Sequence, residues 1–436
     1  MKQFTDLTTS FASVADSSQL PGEELPWLVS LRKKALAQFK RAGLPTKKVE
    51  DWKYTSLWEL TQQSFNHLVN PVTLSEHQQQ QMRLLDDAYR IVIVDGVFSE
   101  QLSELGELQN GVTIQPFSNS LEGLESVLGQ QVVIEKAGLN ALNTLLMKEG
   151  AMVHVAANTI VDKPIEIVVV NSGRTDNLAV HLRNMIQLDQ SAEATVIEHY
   201  IGFDDVAGLT NVVTEVVLAE KAELFHYKMQ RESMNNYHIA MLAAKQATDS
   251  QWHTNLISLG GKLARHDVHS RLEGEQSHTT MDGLYILTAD QHCDFHTRID
   301  HLVPHTTSDE IFKGVLDGNS HAVFNGKVLV HKDAQKTDSN QSNHNLLLSR
   351  NCEIDTKPEM EIYADDVKCG HGSTVGQLDP DHLFFLRARG LDEVSARSLL
   401  TYAFAIEILE RIPSQIIRDA LLAVIEKRLP KGGLTQ

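Results

Sequence analysis

The feature that most constrains this chain is a stretch from about Ile91 to Ala364 in which short runs of alternating polar and apolar residues are separated by Gly, Asp, Asn and Ser. A period of two is the grammar of strands, because successive side chains on an extended backbone point to opposite faces. Ala264, His266, Val268, Ser270 and Leu272 take one face, while Arg265, Asp267, His269, Arg271 and Glu273 take the other. In the same way Cys293, Phe295, Thr297 and Ile299 oppose His292, Asp294, His296, Arg298 and Asp300, and Phe225, Tyr227 and Met229 oppose Leu224, His226 and Lys228. One buried face per strand is expected, and helical signals almost vanish across the stretch.

A dozen or more such strands recur at a spacing of roughly 11 to 16 residues. That is too many for a two-sheet sandwich, and the tryptophan-aspartate signature of a common propeller is absent. A stacked solenoid, a β-helix, fits better than a barrel, although no hexapeptide or calcium-binding nonapeptide repeat marks it. The 436 residues suit several domains or one elongated repetitive domain.

Helical grammar flanks the strands. Trp27, Leu28, Leu31, Ala35 and Phe39 recur at helical spacing from Pro26 to a stop at Gly43-Leu44-Pro45. Near the other end Asp379 can cap a helix with Pro380 at its first position and Gly390 as its stop. Asp392 opens a second helix with the stripe Val394, Leu399, Tyr402, Ile406 and Leu409, and Pro413 starts a third carrying Ile416, Ile417, Leu421 and Ile425. Such short helices have little core of their own, so either the solenoid end or a partner must cover them. The expected organisation is mainly β, with a helical domain over 1–90, a β-helix core over 91–377 and a helical domain over 378–436.

A formal net charge of −18 repels phosphate backbones and anionic lipids, and no basic patch opposes it, so neither nucleic acid nor membrane is an expected partner. Cys293, Cys352 and Cys369 are odd in number and scattered, which is no disulfide framework and suits a reducing compartment. The opening Met-Lys-Gln-Phe-Thr-Asp carries no basic stretch followed by an apolar run, and no segment approaches the ~18 apolar residues of a membrane span. A cytoplasmic protein is expected.

Nucleotide machinery is missing from the sequence. Gly261-Lys262-Leu263 and Gly326-Lys327-Val328 lack the upstream glycine and following hydroxyl residue of a P-loop. Gly370, Gly372 and Gly376 lack the strand and helix order of a dinucleotide fold, so a flexible or tightly turned loop is expected there. Thirteen of the twenty histidines fall between His253 and His382. Pairs such as His292 with His296, or His301 with His305, sit roughly 13 Å apart on one strand, so solvated side chains are expected rather than a shared metal. Cys369 and His371 differ: two residues apart on one face, within about 7 Å, they combine a thiolate with an imidazole and could hold iron or a sulfur species. Glu359, Glu361, Tyr363 and Asp365 share their parity, so one extended outward face is expected to carry them all. On spacing alone, an idle thiol and a loop histidine are the commoner outcome.

The segment Tyr363-Ala364-Asp365-Asp366-Val367-Lys368-Cys369-Gly370-His371-Gly372-Ser373-Thr374-Val375-Gly376 strongly resembles the signature of the SufB/SufD family of iron-sulfur cluster assembly proteins. The likeness continues through Leu378-Asp379, Phe385-Leu386-Arg387-Ala388-Arg389-Gly390-Leu391 and Ala396-Arg397 to Leu399-Leu400. Gly43-Leu44-Pro45-Thr46 and Glu50-Asp51-Trp52-Lys53-Tyr54 are similar to the amino-terminal motif of its SufD branch. The resemblance implies a right-handed parallel β-helix flanked by helical domains. It also implies a non-catalytic subunit that pairs with a SufB-like paralogue and docks a SufC-like ABC ATPase through its C-terminal helices. His371 would face a partner cysteine at a transient iron-sulfur cluster, with Cys369 as its neighbour. A mixed nitrogen and sulfur site open to solvent suits release better than a closed four-cysteine cage. Flavin has been associated with complexes of the family, and no residues here are assigned to hold it. A homodimer of the isolated chain stays open, as do a SufB-like scaffold, a secreted-type β-helix carbohydrate-active enzyme and a stand-alone histidine metal store.

Overall fold

The computed structural model describes residues 7–17, 19–67, 72–134, 138–203 and 206–429. Residues 1–6 and 430–436, which the sequence assigns to the terminal helical domains, lie outside the described residues. The chain starts with α1 (Leu7–Ser17), α2 (Pro26–Ala42), α3 (Trp58–Thr61) and α4 (Glu76–Met82). Helix α2 begins at the expected proline and stops at Gly43, whose φ of 63° and N–H donating to the Phe39 carbonyl (2.8 Å) close the last turn.

Strands then take over: β1 (Tyr89–Val94), β2 (Val97–Phe98) and β3 (Val112–Pro116), followed by a helix the alternation did not announce, α5 (Gly138–Leu146). Helix α5 is almost wholly buried, and its polar side meets the sheet instead of solvent: Asn143 donates to the Leu182 and Asn211 carbonyls, and Arg183 donates to Asn143 and Thr144. After it come β4 (Ala151–Val155), β5 (Ile165–Asn171), β6 (Leu178–Leu188), β7 (Glu193–Gly202), β8 (Gly208–Leu218) and β9 (Glu223–Arg231). The run continues with β10 (Asn236–Gln246), β11 (Gln251–Ser258), β12 (Leu263–Leu272), β13 (His278–Leu287) and β14 (His292–His301). It ends with β15 (Thr307–Leu316), β16 (His321–Val330), β17 (Asp338–Leu347), β18 (Glu353–Ile362) and β19 (Lys368–Gly376), then α6 (Pro380–Arg387), α7 (Glu393–Ile406) and α8 (Gln415–Ile425).

From β4 onward even strands pair in parallel with even strands and odd with odd, giving a nine-stranded and a ten-stranded sheet. Two strands make one coil, and about eight coils stack into a parallel β-helix, which is the expected fold class. The turns from even to odd strands carry a left-handed residue at Ser191, Lys221, Asp249, Gln276, His305 and Lys336, with φ between 56° and 64°. The repeat is therefore one of backbone conformation, filled by unrelated side chains.

Inside the coils one continuous core runs from Tyr89 and Ile91 through Trp252, Phe295 and Phe324 to Ala364, with Cys369 packed at its end. The inward faces of β12 and β14 are those expected, Ala264 to Leu272 and Cys293 to Ile299. At β9 the expected single buried face is corrected. Leu224, His226 and Lys228 line the interior, while Tyr227 and Met229 point outward and are buried under the C-terminal helices. Charged groups of the interior there pair with one another: Glu198 meets His226 at 3.0 Å, Glu232 meets His238 at 2.7 Å, and Lys228 lies 4.7 Å over the Tyr200 ring. Burial would raise the Glu198 carboxyl, yet Lys228, His226 and Tyr200 hold it down to about 2.

The terminal helices clad the outer faces. α1, α2 and α5 pack with Trp52 and Leu57 on Ala179, Leu209, Tyr237, Ile239 and Leu263 of the nine-stranded sheet. The Arg265 guanidinium, 3.9 Å over the Trp52 ring, donates to the Asp51 carbonyl (2.7 Å) and to Asp294 (2.6 Å), while Thr55 donates to Asp294. The amino-terminal motif is thus a clamp on the solenoid's flank. On the ten-stranded sheet Ile408, Leu409, Ile412, Ile417, Leu421 and Ile425 cover Tyr227, Met229, Ile257, Leu284 and Val315. The C-terminal helices therefore pack on the side of the coil and not on its end. Within α7 the buried positions are Ala396, Ser398, Thr401 and Ala405, so the expected stripe is displaced and Val394 is exposed.

Replacing Trp52 by Ala removes a large buried ring and the platform under Arg265, and should cost about 3 kcal/mol. Denaturant unfolding, with hydrogen exchange reading early opening of α2, checks this. A second expectation concerns Phe11, His67 and His181, whose rings pack together with the two imidazoles stacked at 6.2 Å. Burial lowers His67 to about 4 and His181 to about 3, so both are neutral when folded. Because they titrate near ~6.5 when unfolded, their stabilisation is complete above that pH and is withdrawn as pH falls toward about 4. Amide exchange in α1 should rise over that window before the strands respond.

Candidate functional site

Cys369 and His371 lie in β19, the last strand of the ten-stranded sheet, in register with Ser339 and Gln341 of β17. The glycine-rich segment is therefore an edge strand and not the loop expected from its composition. Gly370, Gly372 and Gly376 alternate with the side-chain-bearing positions, and nothing lies within 4 Å of where a Cβ would sit at Gly372 or Gly376. Between Lys368 and Gly376 only Thr374, bonded to His344, puts a side chain on that face, so most of it is open backbone that permits close approach by another chain.

The shared outward face is also corrected. Between β18 and β19 the chain bends at Tyr363–Val367, and the bend resets parity. Glu359 and Glu361 stay outside, where Glu361 pairs with Lys327 at 2.7 Å and Glu359 with Lys357 at 2.8 Å. Cys369 and His371 fall on the interior side, because Ser339 and Gln341 beside them are fully buried inside the preceding coil. No further coil covers them, so Cys369 is half-buried and His371 is exposed. Burial and the nearby Asp338 carboxylate push the Cys369 thiol up from its ordinary value.

The mouth around them has two open edges. Among the described residues β18 hydrogen-bonds only to β16 and β19 only to β17. Ile354, Met360, Val367 and Cys369 are partly buried against the core, while Ile362 and Val375 are 42% and 49% exposed. At the opposite end Phe98, Leu105 and Leu108 plug the core, and β2 and β3 close the sheets in antiparallel fashion. The molecule is sealed at one end and open at the other.

The other singled-out residues lie elsewhere. Cys293 is inside the coil, its thiol pushed up to about 12 by burial, and Cys352 is buried against the Leu316 carbonyl. His301 is buried between Thr306 and Ser308 while His305 is exposed in a turn, so that pair shares no site. His292 bonds Thr55 at 2.9 Å and His296 bonds Asp294 at 3.1 Å. The expectation of solvated histidines is overturned. Of the thirteen, only His305, His371 and His382 are exposed, and most of the others stack on rings or bond to hydroxyls and carboxylates within the ladders. Sequence reasoning also missed a joint: Arg411 forks onto buried Asp282 (2.9 and 3.0 Å) and reaches Asp309, tying the C-terminal helices to the sheet. Its partners are over a hundred residues away along the chain, which spacing cannot reveal.

A second exposed surface lies on the helices. No residue of α6 is buried, and Phe384 is 74% exposed beside a groove lined by Leu383, Ala388 and Leu391. No helix among the described residues is long and apolar enough to cross a membrane.

Comparison with known proteins agrees with this arrangement. Residues 169–404 match the family described as SUF system FeS cluster assembly, SufBD core domain, and residues 1–167 match the SufBD protein N-terminal region. An iron-sulfur cluster assembly SufBD family protein of Synechocystis is 33% identical, over 97% of this chain and 96% of its own. The iron-sulfur cluster assembly protein SufD of Escherichia coli is 33% identical over 91% and 92%, and SufD of Bacillus subtilis 23% over 93% and 95%. An open β-helix that carries the Cys369-x-His371 pair at its mouth, and matches SufD over most of its length, belongs to the SufB/SufD family of iron-sulfur cluster assembly proteins of the SUF system.

Proposed function

We propose that this chain is a non-catalytic subunit of a SUF assembly complex that pairs end to end with a SufB-like β-helix and builds the nascent cluster at the join. The open mouth carries the reading: two strand edges unpaired among the described residues, a glycine-rich face and an uncapped apolar core make an end that a second parallel solenoid complements. Pairing would continue the ladders and bring His371 against a residue of the partner. An imidazole nitrogen facing a thiolate gives iron and sulfide a mixed, incomplete ligand set, suited to a cargo that must leave. Cys369 stands beside it as a second donor once a metal displaces its proton.

The exposed α6, with Phe384 and Phe385, supports docking of a SufC-like ATPase. Nucleotide hydrolysis belongs to that partner, because this chain has no phosphate-binding loop.

Three subunits co-expressed and purified together test the reading. His371→Ala should leave the complex intact, since the side chain is exposed, and lower cluster formation roughly tenfold or more on the scale of a lost metal donor. Cluster absorbance in the isolated complex measures it, and full cluster loading in the variant would remove His371 from the site. In a separate experiment, Ile362→Lys with Val375→Lys should abolish recovery of the SufB-like subunit without lowering the melting point of the isolated chain. Phe384→Asp should instead release only the ATPase.

A further inference from the structure

A second group of metal-ligating side chains lies on the outer face of the nine-stranded sheet. His321 of β16 is the direct register partner of Glu353 on β18, and Asp355 follows two residues later on the same face. One ligand atom from each lies within 4.8 Å of the other two, and His321 Nε2 is 2.9 Å from an Asp355 oxygen. Neighbouring strands are ~4.8 Å apart, so the ladder itself sets this convergence. The imidazole is braced from its other side: the His292 ring meets it edge-on at 4.7 Å, and His292 is fixed by the Thr55 hydroxyl at 2.9 Å.

We propose that His321, Glu353 and Asp355 bind one divalent first-row transition-metal ion, of the zinc, ferrous-iron or manganese class. One imidazole nitrogen with two carboxylates is a borderline donor set: Mg²⁺ and Ca²⁺ favour all-oxygen shells, and Cu⁺ favours sulfur. Small rotations of the two carboxylates bring the ligand atoms to the ~2.0 to 2.2 Å bond lengths such ions require. In the metal-free chain His321 Nε2–H donates to Asp355. Metal entry takes the Nε2 lone pair, and the ring proton moves to Nδ1. Three protein ligands leave the remaining positions to water, so the ion exchanges readily. The site is separate from Cys369 and His371, which lie on the other sheet and on the interior side of the coil, and the inference does not rest on the cluster-assembly reading.

The test uses the full chain carrying Cys369→Ser and His371→Ala, stripped with chelator and titrated with Zn²⁺ against a chromophoric competitor, then with Co²⁺ for its absorption bands. A single equivalent should bind, and adding His321→Ala or Glu353→Gln/Asp355→Asn should weaken it roughly tenfold or more. Melting of the metal-free protein should be unchanged. The carboxylate variant keeps the experiment informative if the histidine variant fails to fold. Absence of binding by the parent, binding undiminished in folded variants, or equal competition by Mg²⁺ would each overturn the proposal. Loss of cluster assembly in the complex bearing only His371→Ala is a different result and leaves this one untouched.

Discussion

The parallel backbone ladder between successive coils is the interaction on which everything else in this molecule stands. Each coil bonds only to the one before and the one after, so the fold is close to one-dimensional and its interior is a single column. Both helical regions lie on surfaces the ladder creates. The Trp52 clamp needs Arg265 and Asp294 side by side on neighbouring strands, and the Arg411 fork needs Asp282 and Asp309 on neighbouring strands offset by two residues. Neither receptor exists until the strands are in register.

The column is not uniformly apolar. Around β7, β9 and β10 it holds Glu198, His226, Lys228, Glu232 and His238, all fully buried. Taking such charges from water costs several kcal/mol per ion, and mutual attraction roughly offsets that cost only when donors and acceptors match. A slip of one residue would turn these groups outward and leave their partners alone. The network therefore adds little net stability and fixes how these coils align.

Fold class was legible because alternation is a local property, and the inward faces of β12 and β14 follow from it directly. What stayed hidden depends on contacts distant in sequence. At β9 Phe225, Tyr227 and Met229 are the apolar face, yet the C-terminal helices claim them and the polar face turns inward. The coil repeat was invisible as a motif because its left-handed turn residue is Ser, Lys, Asp, Gln or His, residues tolerated there at modest strain and without a consensus. At the candidate site the Cys369 and His371 pair was readable, but its side of the strand was not, since five bent residues between β18 and β19 reset the alternation. The glycines suggested a loop by composition, whereas the ladder with β17 holds them extended.

The plug of Phe98, Leu105 and Leu108 at the first coil bears on aggregation. A solenoid bare at both ends could add copies without limit, in the manner of a cross-β fibre. With one terminus blocked, joining at the open mouth would leave no second bare end among the described residues. Growth would then stop at two chains, and the rim that is a hazard in an ordinary sheet would act as a self-limiting connector.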